Sequence, residues 1–276
     1  MQSTVAARPH RGPLMFRKLQ LSLLLVAAAA ASLSTVTTQS QETLRFGIEA
    51  AYPPFESKSP TGQLQGFDVD VGNAVCAKLG MKCVWVENAF DGLIPALQAR
   101  KFDVINSAMN ITEKRKQSIE FTKPIYVVPI VMVARRASGL LPDVKSLQGK
   151  RVGVLQASSQ EDFLKRHWAP AGVTVVPYAD QDQVYADLVA GRLDAAVQEA
   201  QTVQDGFLVK PAGHEYAIVG KPLSDPATLG EGTGWGLRKG DKVLVAKVDA
   251  ALDALKKDGT LSSLSQKYFK QDIIAK

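Results

Sequence analysis

The sequence predicts an α/β fold with mostly parallel sheets, shared between two similar lobes. Two observations carry the prediction. Past the first 41 residues, short apolar runs of strand length alternate with helix-period patterns, the order that strand–helix–strand units produce. The same alternation then starts again at Arg151 with related local sequence.

In the first half, Leu44 to Ile48 reads as a strand, Phe67 to Leu79 as a helix and Lys82 to Val86 as a strand. Gly92 to Arg100 follows as a helix and Phe102 to Ile105 as a strand. In the second half, Arg151 to Leu155, Val173 to Val176 and Leu193 to Val197 read as strands. Helical patterns separate them at Phe163 to Trp168 and Val184 to Ala190. Leu97-Gln98-Ala99-Arg100-Lys101-Phe102-Asp103-Val104-Ile105 resembles Leu188-Val189-Ala190-Gly191-Arg192-Leu193-Asp194-Ala195-Ala196. Each is a helix end, a basic turn, and a strand that opens on a hydrophobe and Asp. Phe46-Gly47-Ile48 and Val152-Gly153-Val154 precede them in the same order.

Between the halves, Ile125 to Ala134 is an extended apolar stretch broken by Pro129, readable as a crossover between lobes or as a plain core strand. Pro222 to Trp235 is rich in Gly and Pro, and a second crossover within Pro222 to Gly234 would return the chain to the first lobe. Gly236-Leu237-Arg238 then resumes a strand, and Lys242 to Leu255 and Leu261 to Phe269 close the chain as helices. Ligands of open α/β sheets bind beyond the carboxyl ends of strands, so a cleft should collect residues from those ends.

Composition fits this reading. At 276 residues the chain is sized for one large or two medium domains. Its 46% apolar and 22% charged residues, with 3 Trp, 6 Tyr and 10 Phe, exclude wholesale disorder. The net charge of +6 is a weak pointer to nucleic acid, because residues 1–41 carry Arg8, Arg11, Arg17 and Lys18 and no acid. No nucleic-acid partner is expected.

Arg17 and Lys18 precede an apolar run, Leu19 to Ala31, that is too short to span a membrane. A basic flank, a short apolar region and small residues beyond it read as a secretory signal peptide occupying residues 1–41. Ala29-Ala30-Ala31 offers a cleavage site, with others in Ser32 to Gln41, and Met15 is an alternative start. No cysteine follows the run, which argues against a lipid anchor. An exported, soluble mature protein is expected, and an oxidising compartment permits a disulfide between Cys76 and Cys83, the sole cysteines. Their spacing is not that of a redox or zinc motif, and with 3 histidines, one of them in the leader, neither a metal site nor a His-based triad is expected.

Several residues at predicted strand ends could carry chemistry. Glu49 and Tyr52, ahead of Pro53-Pro54-Phe55, pair a carboxylate with a ring in a stiff loop, a combination that suits a cation. Ser107, Ala108 and Asn110 follow the strand ending at Ile105; if Thr112 caps a helix, Arg115 lies in its first turn, where a guanidinium would meet a small carboxylate bidentately. Leu155-Gln156-Ala157-Ser158-Ser159-Gln160-Glu161 opens a helix, and Ser158 with Glu161 fits a capping box. Glu199 ends the strand equivalent to the one before Ser107. Gly230-Glu231-Gly232-Thr233-Gly234 lacks the third glycine of the dinucleotide fingerprint, and no cofactor is expected.

From Thr43 to Phe269 the chain resembles the periplasmic substrate-binding proteins of polar amino-acid ABC transporters, above all the lysine/arginine/ornithine and histidine binders. The carrying segments are Gly47-Ile48-Glu49-Ala50-Ala51-Tyr52-Pro53-Pro54-Phe55, Gly66-Phe67-Asp68-Val69-Asp70 and Phe90-Asp91-Gly92-Leu93-Ile94-Pro95-Ala96-Leu97. Ile111-Thr112-Glu113-Lys114-Arg115, Gly153-Val154-Leu155-Gln156, Ala190-Gly191-Arg192-Leu193-Asp194 and Gly232-Thr233-Gly234-Trp235-Gly236-Leu237-Arg238 continue the set.

The resemblance implies a type II periplasmic binding protein, two α/β lobes joined by a two-segment hinge. Lobe 1 would comprise residues 42–127 and 229–276, and lobe 2 residues 128–228. It implies capture of a basic amino acid, delivery to the membrane permease of an ABC importer, a monomer, and a Cys76–Cys83 disulfide. Arg115, with the backbone of Asn110 and Ser159, would hold the ligand's carboxylate, and Glu199 its ammonium. Tyr52 and Phe90 would sandwich the side chain, Glu49 and Ser107 would meet its distal cation, and Leu155, Ser158 and Gln160 would complete the wall. The family usually has Asp at the Glu199 position, Asp or Glu at that of Glu49, and serines at Ala108 and Asn110, so altered selectivity is expected. The alternatives are a dehydratase of the prephenate or arogenate type on the same scaffold, and a receptor that feeds a separate sensor.

Overall fold

The computed structural model describes residues 1–4, 6 and 41–276, so the apolar run and cleavage region of the expected signal peptide lie outside the described residues. In chain order the strands are β1 (Thr43–Ile48), β2 (Ala51–Tyr52), β3 (Glu56–Lys58), β4 (Leu64–Gln65), β5 (Lys82–Glu87), β6 (Val104–Ile105), β7 (Ile119–Phe121), β8 (Ile130–Arg135), β9 (Arg151–Leu155), β10 (Thr174–Tyr178), β11 (Ala195–Glu199), β12 (Tyr216–Leu223) and β13 (Gly236–Arg238). The helices used below are α1 (Phe67–Leu79), α2 (Leu93–Gln98), α3 (Glu113–Lys116), α4 (Ser159–His167), α5 (Gln181–Val189), α6 (Lys242–Lys257) and α7 (Thr260–Phe269).

Two five-stranded sheets result, in the orders β5-β1-β6-β13-β7 and β10-β9-β11-β8-β12. They are the same arrangement built twice. The expectation of mostly parallel sheets is corrected in one respect. The first three strands of each order run parallel, but β13 and β8 run antiparallel to both of their neighbours. The cause is chain exchange: β8 is the strand on which the chain enters the second sheet, and β13 the strand on which it returns to the first. The stretch from Ile125 to Ala134 is therefore both things at once. Its end is a buried strand, while Tyr126 in its first part bridges Thr233 of the returning segment.

Packing follows the strand period. On β8, Ile130, Met132 and Ala134 face one core with Phe163, Leu164 and Trp168, while Val131 and Val133 face another with Val184, Tyr185 and Leu188. The first sheet's core gathers α1, α2, α6 and α7 around Phe46, Phe102 and Trp235. A third, three-stranded sheet β2-β3-β4 folds the loop after Tyr52 back on itself, so that Glu56 pairs with Tyr52. The Cys76–Cys83 disulfide joins the last turn of α1 to β5, with Cα atoms 5.7 Å apart.

Boundaries differ from expectation where caps and edges decide. Helix α4 starts at Ser159, ahead of the apolar pattern at Phe163 and where the expected capping box places it, with Ser158 accepting the Glu161 N–H at 3.0 Å. Strand β12 was hidden by Gly220 and Pro222; it lies at a sheet edge, where a register shift between Val219 and Leu223 accommodates them.

The internal repeat has a physical cause. A Cβ at Gly47 would sit 2.3 Å from the Phe102 ring, and one at Gly153 would sit 2.4 Å from Leu193 Cδ1. Each glycine thus makes room for the hydrophobe two residues ahead of β6 or β11. The aspartate that follows clamps the first strand: Asp103 accepts the Arg45 backbone N–H at 3.2 Å, and Asp194 accepts that of Arg151 at 2.8 Å. Gly47→Ala and Gly153→Ala should each lower stability by about 1–3 kcal/mol, the usual cost of overpacking a tight core. Chemical denaturation checks this, and midpoints equal to that of the parent chain would refute the close-approach account.

Candidate functional site

Strands β1 and β6 of one sheet and β9 and β11 of the other end on a common cleft. Glu49 follows β1, and Ser107, Ala108 and Asn110 follow β6; Leu155 ends β9, with Ser158 and Gln160 just beyond, and Glu199 ends β11. Together with Tyr52, Phe90 and Arg115 they line one pocket. Ser159 stands one step behind the wall. Its hydroxyl accepts from the Asn110 amide at 3.1 Å and donates to Gln160 Oε1 at 3.1 Å.

Three further lining residues, Glu56, Val197 and Gln198, were not anticipated. Val197 and Gln198 are the residues before Glu199 on β11, so the strand-end rule contained a signal for them. Glu56 had none, because it reaches the pocket only through the β2–β3 fold-back.

Arg115 is the cation of the pocket. Thr112 caps α3 by accepting the Arg115 N–H at 3.3 Å, as the sequence predicts. The guanidinium donates from Nη1 to the Asn110 carbonyl at 2.8 Å and from Nη2 to the Ala157 carbonyl at 3.0 Å, which reaches across the cleft. It also lies 5.4 Å from the Phe90 ring centroid, within cation–π range. Burial lowers its pKa to about 10, with Asp162 and Glu199 opposing, so it remains charged at neutral pH. Ala157 adopts φ 59°, a left-handed conformation that costs a non-glycine residue. In it, the carbonyl meets Arg115 while the N–H donates to Glu161 Oε2 at 2.6 Å. The capping box is thus displaced by one residue.

Asn110 links the two charges. Its carbonyl takes Arg115, and its amide donates to Glu199 Oε1 at 2.9 Å. The Tyr52 hydroxyl donates to Glu199 Oε2, and burial followed by that carboxylate pushes the phenol well above its usual range. Glu49 is 5% exposed; burial, reinforced by Asp180, raises its pKa to about 7. Its backbone N–H donates to Ser107 Oγ at 2.9 Å, and that hydroxyl donates in turn to Glu56 Oε1 at 2.9 Å. Burial also raises Asp68, in the first turn of α1, to about 7, and Glu56 well beyond the ordinary carboxylate range.

Two α/β lobes joined by two crossing segments, with charged side chains from both converging on one pocket, define a two-lobed binding protein. The family model for bacterial extracellular solute-binding proteins, family 3, matches residues 44–271, and the chain belongs to that family. The L-arginine-binding protein of Pseudomonas aeruginosa is 47% identical over 250 residues, which are 91% of this chain and 96% of that protein. The lysine/arginine/ornithine-binding periplasmic protein of Escherichia coli is 46% identical over 228 residues, covering 83% and 88% of the two chains. A solved periplasmic binding protein of Salmonella typhimurium, described for its high arginine specificity, aligns with a TM-score of 0.77 at 31% identity, covering 83% of this chain and 99% of that one. These relatives are solute-binding proteins and not enzymes, which sets the dehydratase alternative aside.

The raised acids make a prediction about pH. Glu49, Glu56 and Asp68 bind protons more tightly folded than unfolded, so the folded state holds more protons between about pH 4.5 and 7. Their contribution is fully present below the unfolded pKa and is lost as pH rises through the folded one. Stability of the ligand-free protein should therefore fall from pH 5 to pH 8. Asp103 and Asp258, held low by hydrogen bonds and cations, act only below that window. Denaturant titrations at pH 5, 6.5 and 8 test this, and a midpoint rising across the series would contradict it.

Proposed function

We propose that this protein is exported to the periplasm, captures a basic amino acid between its lobes, and delivers it to the membrane permease of an ABC importer. The ligand is arginine, ornithine, lysine or histidine. The observation that carries this reading is the meeting of Arg115 and Glu199, opposite charges from opposite lobes, in one buried pocket that also holds Glu49. An amino acid carries the complementary charges. Arg115 takes the carboxylate, Glu199 the α-ammonium, Tyr52 and Phe90 flank the side chain, and Glu49 with Ser107 meets its distal cation.

The lobes, residues 42–127 with 229–276 and residues 128–228, act as rigid halves of a monomer. The ligand drives closure because it touches both. Lobe-to-lobe contacts that support this include Gln156 Nε2 to Asp91 Oδ2 at 2.9 Å and Lys114 Nζ to Asp162 Oδ1 at 2.7 Å.

Two substitutions separate the general from the selective contacts. Arg115→Ala should weaken every ligand with an α-carboxylate by about 2–5 kcal/mol, as truncation of buried charge partners does. Glu49→Gln should weaken arginine, ornithine or lysine by roughly 1.5–3 kcal/mol, the worth of a charge-assisted hydrogen bond, and leave glutamine little changed. Titration calorimetry with arginine and glutamine measures the contrast. A wild type that prefers glutamine, with arginine untouched by the Glu49 substitution, would overturn the basic-ligand assignment. Scattering curves unchanged by saturating ligand would overturn the hinge.

A further inference from the structure

Asn110 stands where both crossing segments and the two lobes meet. Its backbone is fixed by the returning crossing, opposite Thr233 in an antiparallel bridge. On either side, the Ile111 N–H donates to the Gly232 carbonyl at 2.8 Å and the Gly234 N–H to the Met109 carbonyl at 3.2 Å. Thr233 is pinned in turn to the first crossing. Its N–H donates to the Tyr126 carbonyl at 2.9 Å, and its carbonyl accepts from the Ile125 N–H at 2.8 Å. Two residues before Asn110, Ala108 adopts φ 42°, a left-handed conformation that a non-glycine residue keeps only where its surroundings hold it. Here Asp68 Oδ2 holds it, accepting the Ala108 N–H at 2.9 Å.

The Asn110 side chain is buried, and both ends of its amide are partnered. Carboxylate oxygens only accept, so the amide must present Nδ2 to Glu199 Oε1, at 2.9 Å. The same nitrogen donates to Ser159 Oγ at 3.1 Å. Oδ1 is left facing the other way, where the Thr233 hydroxyl donates to it at 3.3 Å. Chemistry at both ends therefore settles which way the amide points. The second oxygen of Glu199 takes the Tyr52 hydroxyl, so two donors from the first lobe orient one carboxylate of the second.

We infer that Asn110 is a positioning residue whose side chain makes lobe closure and capture of the ligand's α-ammonium a single event. The inference rests on the proposed function. Glu199 meets these two donors only when the cleft is shut. Each of its oxygens then gives one lone pair to a first-lobe donor and keeps another for the ammonium. Thr233 holds the amide from behind and so ties this orientation to the crossing. Before the cleft can reopen, the bonds from Asn110 to Glu199 and Ser159 must break. The side chain therefore acts on the lifetime of the complex more than on the rate of capture.

Release of radiolabelled arginine into excess unlabelled arginine measures that lifetime. Asn110→Ala should speed release about tenfold, the loss expected for a hydrogen bond to a charged group, with association nearly unchanged. The Asn110 carbonyl that takes Arg115 is backbone and survives the substitution. Asn110→Asp keeps the shape but sets a second carboxylate against Glu199, so release should be faster again than from Asn110→Ala. A side chain that merely fills space gives the opposite order. Thr233→Val removes the donor to Oδ1 and should speed release about threefold in the parent, with no further effect in Asn110→Ala. Parent-like release from Asn110→Ala, slower release from Asn110→Asp than from Asn110→Ala, or a Thr233→Val effect that persists in Asn110→Ala would each overturn the inference. The Ala and Val variants carry the test even if Asn110→Asp does not fold. Failure of the parent to bind any amino acid would overturn the proposed function and this inference together, whereas tight binding with parent-like release from Asn110→Ala removes the inference alone.

Discussion

The pocket is organised around the burial of one guanidinium. Arg115 is 8% exposed, and an unpaired buried cation is expensive, so its donors must be met by acceptors. Part of that demand is met by backbone carbonyls from two different lobes, Asn110 and Ala157. The left-handed backbone at Ala157 and the displaced capping box at Ser158 become intelligible as the local adjustments that aim a carbonyl at Arg115. Asn110 extends the same network to Glu199, so the charge contributed by one lobe is felt at the strand end of the other.

The scaffold places these groups by building one topology twice. In each sheet a glycine on β1 or β9 admits the hydrophobe just ahead of β6 or β11, and an aspartate after that hydrophobe returns to the backbone of β1 or β9. This fixes the spacing of the two parallel strands that end at the cleft, β1 with β6 and β9 with β11. The exchange of β8 and β13 then makes each sheet depend on a strand delivered by a crossing segment. Tyr126 sits on one crossing, bridges Thr233 on the other, and donates to Asp68 beneath the pocket. The crossings and the pocket floor are therefore parts of one hydrogen-bonded unit.

Local signals were sufficient for the parallel strands, the long helices and most of the pocket wall, because strand ends and helix caps are written in contiguous residues. Phe67–Leu79 and Arg151–Leu155 are found where apolar periodicity predicts them. What local sequence hides is set by tertiary partners. The antiparallel sense of β8 and β13 follows from which lobe the chain comes from, and β12 survives its Gly and Pro only because it lies on an edge. Glu56 is the sharpest case. Nothing around it in sequence marks a pocket residue; the three-residue return of β3 against β2 brings it to the Ser107 hydroxyl.

That hidden acid changes how the electrostatics of the site are understood. Counting only Glu49, Glu199 and Arg115, the pocket reads as two acids and one base, the complement of an amino acid with a cationic side chain. Adding Glu56 and Asp68 at full charge would load a buried volume with four acids against one base, which desolvation forbids. Burial raises the pKa of Glu56, of Asp68 and of Glu49, which favours their neutral forms. The same burial that makes these carboxylates hard to ionise ties their protonation to the charges around them, so the electrostatics of the site are set by environment as much as by the number of acids.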